Sequence, residues 1–288
     1  MNLLTIRDLG AQAVADILAL SEASDLGSPL AGKGVALIFE KPSARTRNSL
    51  EMAVVQLGGH PLYIQPGEVG IGTRESAADV ARTLACYHSV IAARVKDHRL
   101  LEEMAEATET PILNMLSDSD HPLQALADLL TIKQLLGRLE GVRIAYVGDG
   151  DNNVCRSLAE ACSLAGAQLT VASPEGYGLS KPPSGVRQVL DPVEAVSGAD
   201  IVYTDVWVSM GQDSQSDLRR SAFRNYQVDA AMMGHAPDAR FLHCLPAKRG
   251  EEVSADVIDG PDSAVWKQAE NRMHSARGAL AWLIGARV

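Results

Sequence analysis

Apolar residues in this chain fall into short unbroken runs, separated by stretches in which they recur every three or four positions. Val35-Ala-Leu-Ile-Phe39 is β-branched and apolar, and Leu50, Val54 and Leu57 then recur at helical spacing until Gly58-Gly59. The pattern predicts a buried strand over 35–39 and a helix over 46–57, with Ser43 to Thr46 at the helix entrance. Further strands are predicted at 62–65, 90–95 and 111–115, with helices near 75–86 and 98–107 between them. A long helical segment covers 121–136 and stops near Gly137. Strands then return at 143–148, 168–173, 199–204 and 240–244, and residues from about 270 to 284 are helical again.

Alternation of this kind marks parallel sheets with crossover helices. The expected fold is α/β: two doubly wound parallel-sheet domains joined by the helix at 121–136, with the C-terminal helix packing back on the first domain. The first domain is expected over residues 1–136 plus about 270–288, and the second over 137–269. Residues 173–184, rich in Pro, Gly and Ser, read as a surface loop.

In open parallel sheets, ligands bind beyond the carboxyl ends of the strands. Ser43, Arg94, Asn153, the segment from Asp205 to Met210, and Cys244 all fall there. At Ser43–Thr46 the first N–H groups of a helix have no intrahelical partner and the helix dipole is positive, so an anion is favoured. Lys41, Arg45 and Arg47 add cationic charge. A capped surface helix with solvated arginines is the alternative for this stretch taken alone.

Composition narrows the choice. With 288 residues, 46% hydrophobic and 22% charged, the chain can bury a sizeable core. Its formal charge of −10 argues against a nucleic-acid or anionic-membrane surface, so small anions suit the local cationic cluster better. The four cysteines, Cys86, Cys155, Cys162 and Cys244, show no structural-zinc spacing and suit a reducing compartment. Residues 3–20 are interrupted by Arg7, Asp8 and Asp16 and read as an amphipathic helix, not a signal peptide. No apolar run reaches the roughly 20 residues of a membrane span, and a cytoplasmic protein is expected. Val147-Gly-Asp-Gly150 invites a dinucleotide reading, but no third glycine follows in place.

Four motifs, taken together, carry a resemblance. Phe39-x-Lys-x-Ser-x-Arg-Thr-Arg47, His121-Pro-Leu-Gln124, Asp205-Val-Trp-Val-Ser-Met-Gly211 and His243-Cys-Leu-Pro246 stand in the order and approximate spacing of the aspartate and ornithine carbamoyltransferases. The chain resembles that family over nearly its whole length, and the last two motifs are similar to those of its ornithine-specific branch.

The resemblance implies transfer of a carbamoyl group from carbamoyl phosphate to the side-chain amine of ornithine, giving citrulline and phosphate, as in arginine biosynthesis. That chemistry requires no metal or organic cofactor. By resemblance the first domain binds carbamoyl phosphate and the second ornithine. Ser43, Ala44, Arg45 and Thr46 would hold the phosphate; Arg94 would reach phosphate and carbonyl oxygen; His121 and Arg272 would address that oxygen; Gln124 would engage the carbamoyl amide. Asp205 would face the ammonium group of ornithine, with Asn153, Ser209 and Met210 fixing its carboxylate end. Cys244 would orient the attacking amine and the Leu245 carbonyl would receive the carbamoyl NH2, while His243 is structural. A helix cap is the alternative role for Asn153. The resemblance also implies a homotrimer or a multiple of one.

Departures from the family pattern are Leu50 for an aromatic residue, Ala44 for threonine, a shorter loop after Ser173, and Gly70 where many ornithine enzymes carry a glutamine that helps bind carbamoyl phosphate. Two other readings therefore stay open: a relative acting on a different ornithine-like amine, and a catalytically silent member with a binding role.

Overall fold

The computed structural model describes residues 1–208 and 213–287. The chain divides into two compact units, the first formed by Met1–Leu130 with Glu270–Val288 and the second by Thr131–Ala269. Helices α1 (Gly10–Glu22), α2 (Ala44–Gln56), α3 (Pro66–Val69), α4 (Ala77–Ala85) and α5 (Arg99–Ala107) alternate with strands β1 (Gly34–Phe39), β2 (His60–Ile64), β3 (His88–Arg94) and β4 (Ile112–Leu116) in the first unit. The unit boundaries fall inside α6 (Pro122–Leu136) and α12 (Val265–Leu283). The second unit holds β5 (Arg143–Val147), α7 (Asn153–Ala165), β6 (Gln168–Ala172), β7 (Arg187–Val189), α8 (Pro192–Val196), β8 (Ile201–Thr204), α9 (Ser216–Phe223), α10 (Ala230–Met233), β9 (Arg240–His243) and α11 (Ala255–Ile258).

Both sheets are parallel throughout, ordered β2-β1-β3-β4 and β7-β6-β5-β8-β9. The inner strands β1, β5 and β8 are apolar on both faces because both faces are covered, whereas the edge strands β2 and β7 carry exposed residues. In β5, Ala145 and Val147 pack with Phe223 and Phe241, whereas Ile144 and Tyr146 pack with Leu158 and Tyr203. In the first unit Ala36, Ile38, Ile91 and Ala93 face Val80, Leu101 and Met104. The C-terminal helix lies on this unit through its own residues: Ser275 Oγ donates to Leu123 O (3.4 Å), and Arg277 Nη2 donates to Ala23 O (2.7 Å) and Ser21 O (3.1 Å).

Strand order decides where ligands can enter. Chain direction across the sheet reverses between β1 and β3 in the first unit and between β5 and β8 in the second, and each reversal leaves a crevice at the carboxyl ends. The crevices are bordered by Phe39 and Arg94, directly paired in register, and by Val147 and Thr204, also paired.

Gly70 caps α3 in a left-handed conformation (φ 63°), and its carbonyl accepts from the N–H groups of Thr73 (3.0 Å) and Arg74 (2.8 Å). Glycine adopts that conformation without steric cost. A side chain at this position would be strained in this turn.

Candidate active site

In the first unit the site grows from the β1–α2 connection. Ser43 has extended backbone angles and caps α2, its hydroxyl accepting from the Thr46 N–H (3.4 Å). Ala44 and Arg45 are exposed at the helix start, while Thr46 is buried beneath them. Two guanidiniums converge on the Thr46 hydroxyl from distant parts of the sequence: Arg94 Nη1 at 3.4 Å and Arg272 Nη2 at 3.4 Å. Arg272 Nη1 also donates to Gln124 Oε1 (2.6 Å), and Gln124 Nε2 donates to Asp128 Oδ1 (2.8 Å). Arg47 is committed elsewhere, paired with Glu51 and lying 3.9 Å from the centre of the Tyr63 ring.

Electrostatics describe a site short of negative charge. Burial, followed by the proximity of Arg272 and Arg45, lowers the Arg94 pKa to about 10. Arg94 Nε is buried without a hydrogen-bond partner among the described residues. Burial, then Arg272 and Arg94, holds the His121 pKa well below its ordinary value, so its imidazole is neutral at neutral pH. Clustered guanidiniums of this kind are relieved by an anion with several acceptor oxygens.

In the second unit the corresponding crevice carries a carboxylate. Asp205 follows β8, is 6% exposed, and accepts at Oδ1 from Cys244 Sγ (3.1 Å) and the Val206 N–H (2.8 Å). Its Oδ2 accepts from Asn152 Nδ2 (3.4 Å). Burial raises the Asp205 pKa against the opposing influence of His243 and the Cys244 hydrogen bond. Cys244 and Leu245 follow β9, and Leu245 has φ 58° with a cis bond to Pro246. His243 Nδ1 accepts from the Leu245 N–H (2.9 Å), and Nε2 lies 3.2 Å from Glu252 Oε1. Asp205, His243 and Cys244 stand close enough to suggest a metal trio, but both His243 nitrogens are already engaged.

The helix after β5 is capped by Asn152, whose Oδ1 accepts from the Cys155 N–H (2.8 Å); Asn153 is the first residue of α7. The capping role considered for Asn153 thus belongs to its neighbour. The expected residues Ser209 and Met210 lie outside the described residues.

Two groups escaped the sequence reading. Asn152 was signalled only by an Asp-Asn-Asn run in which any member could cap. Asp149, 1% exposed, pairs with Arg219 of α9 (2.7 Å), and Arg219 Nη1 also donates to Trp207 O (3.0 Å). No spacing rule links positions that far apart.

Comparison with known proteins agrees over the whole chain. Residues 1–134 match the family described as aspartate/ornithine carbamoyltransferase, carbamoyl-P binding domain, and residues 140–283 match its Asp/Orn binding domain. The anabolic ornithine carbamoyltransferase of Pyrococcus furiosus is 44% identical, with 99% of this chain and 96% of that protein covered. The ornithine carbamoyltransferase of Bacillus subtilis is 44% identical over 97% of this chain and 92% of that one. Among solved structures, the P. furiosus enzyme superposes with a TM-score of 0.93 at 42% identity, covering 100% of this chain and 98% of that one. The Thermus thermophilus enzyme superposes at 0.89 with 43% identity and 98% coverage of each.

Proposed function

Because the chain belongs to the aspartate/ornithine carbamoyltransferase family, we propose that it is an ornithine carbamoyltransferase, converting carbamoyl phosphate and L-ornithine to L-citrulline and phosphate in arginine biosynthesis. The observation that carries the choice of ornithine is the buried carboxylate of Asp205 bonded to Cys244. A buried anion favours the ammonium group of a diamino acid and repels the second carboxylate of aspartate.

In this reading Ser43, Ala44, Arg45 and Thr46 cradle the phosphate with helix N–H groups and charge. Arg94, His121 and Arg272 donate to the carbonyl oxygen, on which negative charge grows as the carbon becomes tetrahedral; preorganised donors are worth most there. A neutral His121 acts through an N–H, so no proton needs to leave it. Gln124 and the Leu245 carbonyl hold the carbamoyl amide. The amine lone pair forms the new C–N bond, the C–O bond to phosphate breaks, and phosphate departs with that electron pair.

The attacking nitrogen must be uncharged. Its unperturbed pKa is near that of lysine, about 10.4, so roughly one molecule in a thousand is ready at neutral pH. Asp205 and Cys244 orient the amine, and the proton that its nitrogen sheds once the C–N bond has formed passes to the departing phosphate, while Asn153, Ser209 and Met210 fix the α-carboxylate end. No described helix is long and apolar enough to cross a membrane. We place the enzyme in the cytoplasm as a homotrimer or a multiple of one, which sedimentation tests.

A colorimetric assay for ureido product with ornithine, lysine, putrescine and aspartate decides the substrate. Citrulline from ornithine alone supports the assignment. Preference for another amine, or no product from any, overturns it.

A further inference from the structure

His121 opens α6 from the end of a four-residue turn, and a buried hydroxyl bonds across that turn. Ser117 follows β4 and is 0% exposed. Its N–H donates to Asp120 O (2.9 Å), and its Oγ accepts from the Asp120 N–H (3.1 Å) and from Asn114 Nδ2 (3.4 Å). Oγ also lies 2.8 Å from His98 Nδ1. A hydroxyl has one proton and two lone pairs. With the Asp120 and Asn114 N–H groups on its lone pairs, its proton faces His98 Nδ1 at 2.8 Å, nearer than Asp120 O at 3.4 Å or Ser119 Oγ at 3.5 Å.

Three parts of the first unit thus meet at this oxygen. His98, at the start of α5, is itself anchored by its N–H on Asp118 Oδ1 (3.0 Å). Asn114, in β4, is anchored by Nδ2 on Leu4 O (2.8 Å) in the N-terminal segment. The third part is the 117–120 turn. On the far side, the His121 carbonyl accepts from Gln124 N–H (3.0 Å) and Ala125 N–H (3.3 Å), so His121 is held between the turn and the helix it opens.

We propose that Ser117 is a positioning residue for His121: its hydroxyl fixes the turn, and the turn fixes where the imidazole stands. The proposal rests on the reading that His121 donates to the carbonyl oxygen. Ser117 acts through that group and needs no contact with either substrate. A donor displaced by a fraction of an ångström loses transition-state stabilisation while ground-state phosphate binding, carried by the α2 entrance, is kept.

The test is a double-mutant cycle on the full chain, reading kcat together with carbamoyl phosphate affinity by calorimetry. Ser117→Ala is expected to lower kcat about tenfold while leaving that affinity within about twofold. In a His121→Asn background the same substitution is expected to change kcat by less than about twofold, because the group through which it acts is gone. Equal loss in both backgrounds overturns the proposal, since Ser117 would then act elsewhere; so does an unchanged kcat in the single variant. Wild-type kcat in His121→Asn, where Ser117 is intact, refutes the role of His121 and with it the proposal. Should Ser117→Ala fail to fold, His98→Ala takes its place, removing the nearest acceptor of the hydroxyl proton while the Asp120 and Asn114 bonds to Oγ stay. A loss of about threefold that disappears in the His121→Asn background supports the proposal, and an equal loss in both overturns it.

Discussion

Asp205 sits where a carboxylate is poorly solvated, and its hydrogen bonds only partly make good the loss. Burial raises its pKa above that of the unfolded chain, where an aspartate titrates near about 3.9. For a raised acid, the favourable contribution to stability is fully present below the unfolded pKa and is lost as pH rises through the folded one. At neutral pH the charged side chain therefore costs stability, which a binding site tolerates in order to meet a cation. Asp205→Asn keeps an oxygen for Cys244 and Val206 and removes the charge, a gain set against turning its new NH2 toward the Asn152 Nδ2 donor now 3.4 Å from Oδ2. The expected outcome is a higher unfolding midpoint at neutral pH, a gain that shrinks as pH falls through the acid range, and an ornithine KM raised far more than that for carbamoyl phosphate. Thermal melts across pH and steady-state kinetics check this; equal loss for both substrates would refute the division of labour.

Helix α12 shows how packing sets an element that pattern alone placed only in part. The 3.6-residue period suggests a start near Glu270, yet the helix begins at Val265. Gln268 is the reason: it is polar but 1% exposed, its Oε1 accepting from the His243 N–H (2.9 Å) and its Nε2 donating to the Tyr203 hydroxyl (3.2 Å), so the buried face is not apolar there. Strand β1, wholly buried after Gly34, was legible to within a residue, because an apolar run bounded by polar positions has few other meanings. Strand β7 was not, since three residues, two of them exposed, carry no period. Thr46, Arg94 and Arg272 come together only through tertiary folding, so their association was legible through family resemblance and not through spacing. Farther along α12, Gly278 lies so close to α1 that an added methyl would overlap the Ser21 hydroxyl and stand 2.6 Å from Ile17 O. Replacing helical glycine by alanine normally gains about 1 kcal/mol, but overpacking costs about 1–3 kcal/mol. Gly278→Ala is therefore expected to lower stability in denaturant titration, and a stabilised variant would show that the two helices separate freely.

At the scale of the whole molecule, the first unit is discontinuous in sequence, completed by a segment that arrives after the second unit has been made. That segment supplies Arg272, one of the converging guanidiniums, and buries Leu280, Trp282 and Leu283. Burying such side chains stabilises by about 1.5–3 kcal/mol each, which for three of them rivals the about 5–15 kcal/mol that holds an ordinary domain folded. It also matters electrostatically. With a formal charge of −10 the molecule as a whole repels an anionic substrate, so recognition depends on a few guanidiniums held close together. A chain ending at Ala269 loses one of these and the packing around the rest, while the second unit, residues 131–269, keeps all its own strands. Such a truncation is expected to abolish carbamoyl phosphate binding in calorimetry and to strip hydrogen-exchange protection from β1 and β3, leaving β5 and β8 protected. Wild-type affinity in the shortened chain would mean that the returning segment neither completes the first unit's core nor contributes to its anion site.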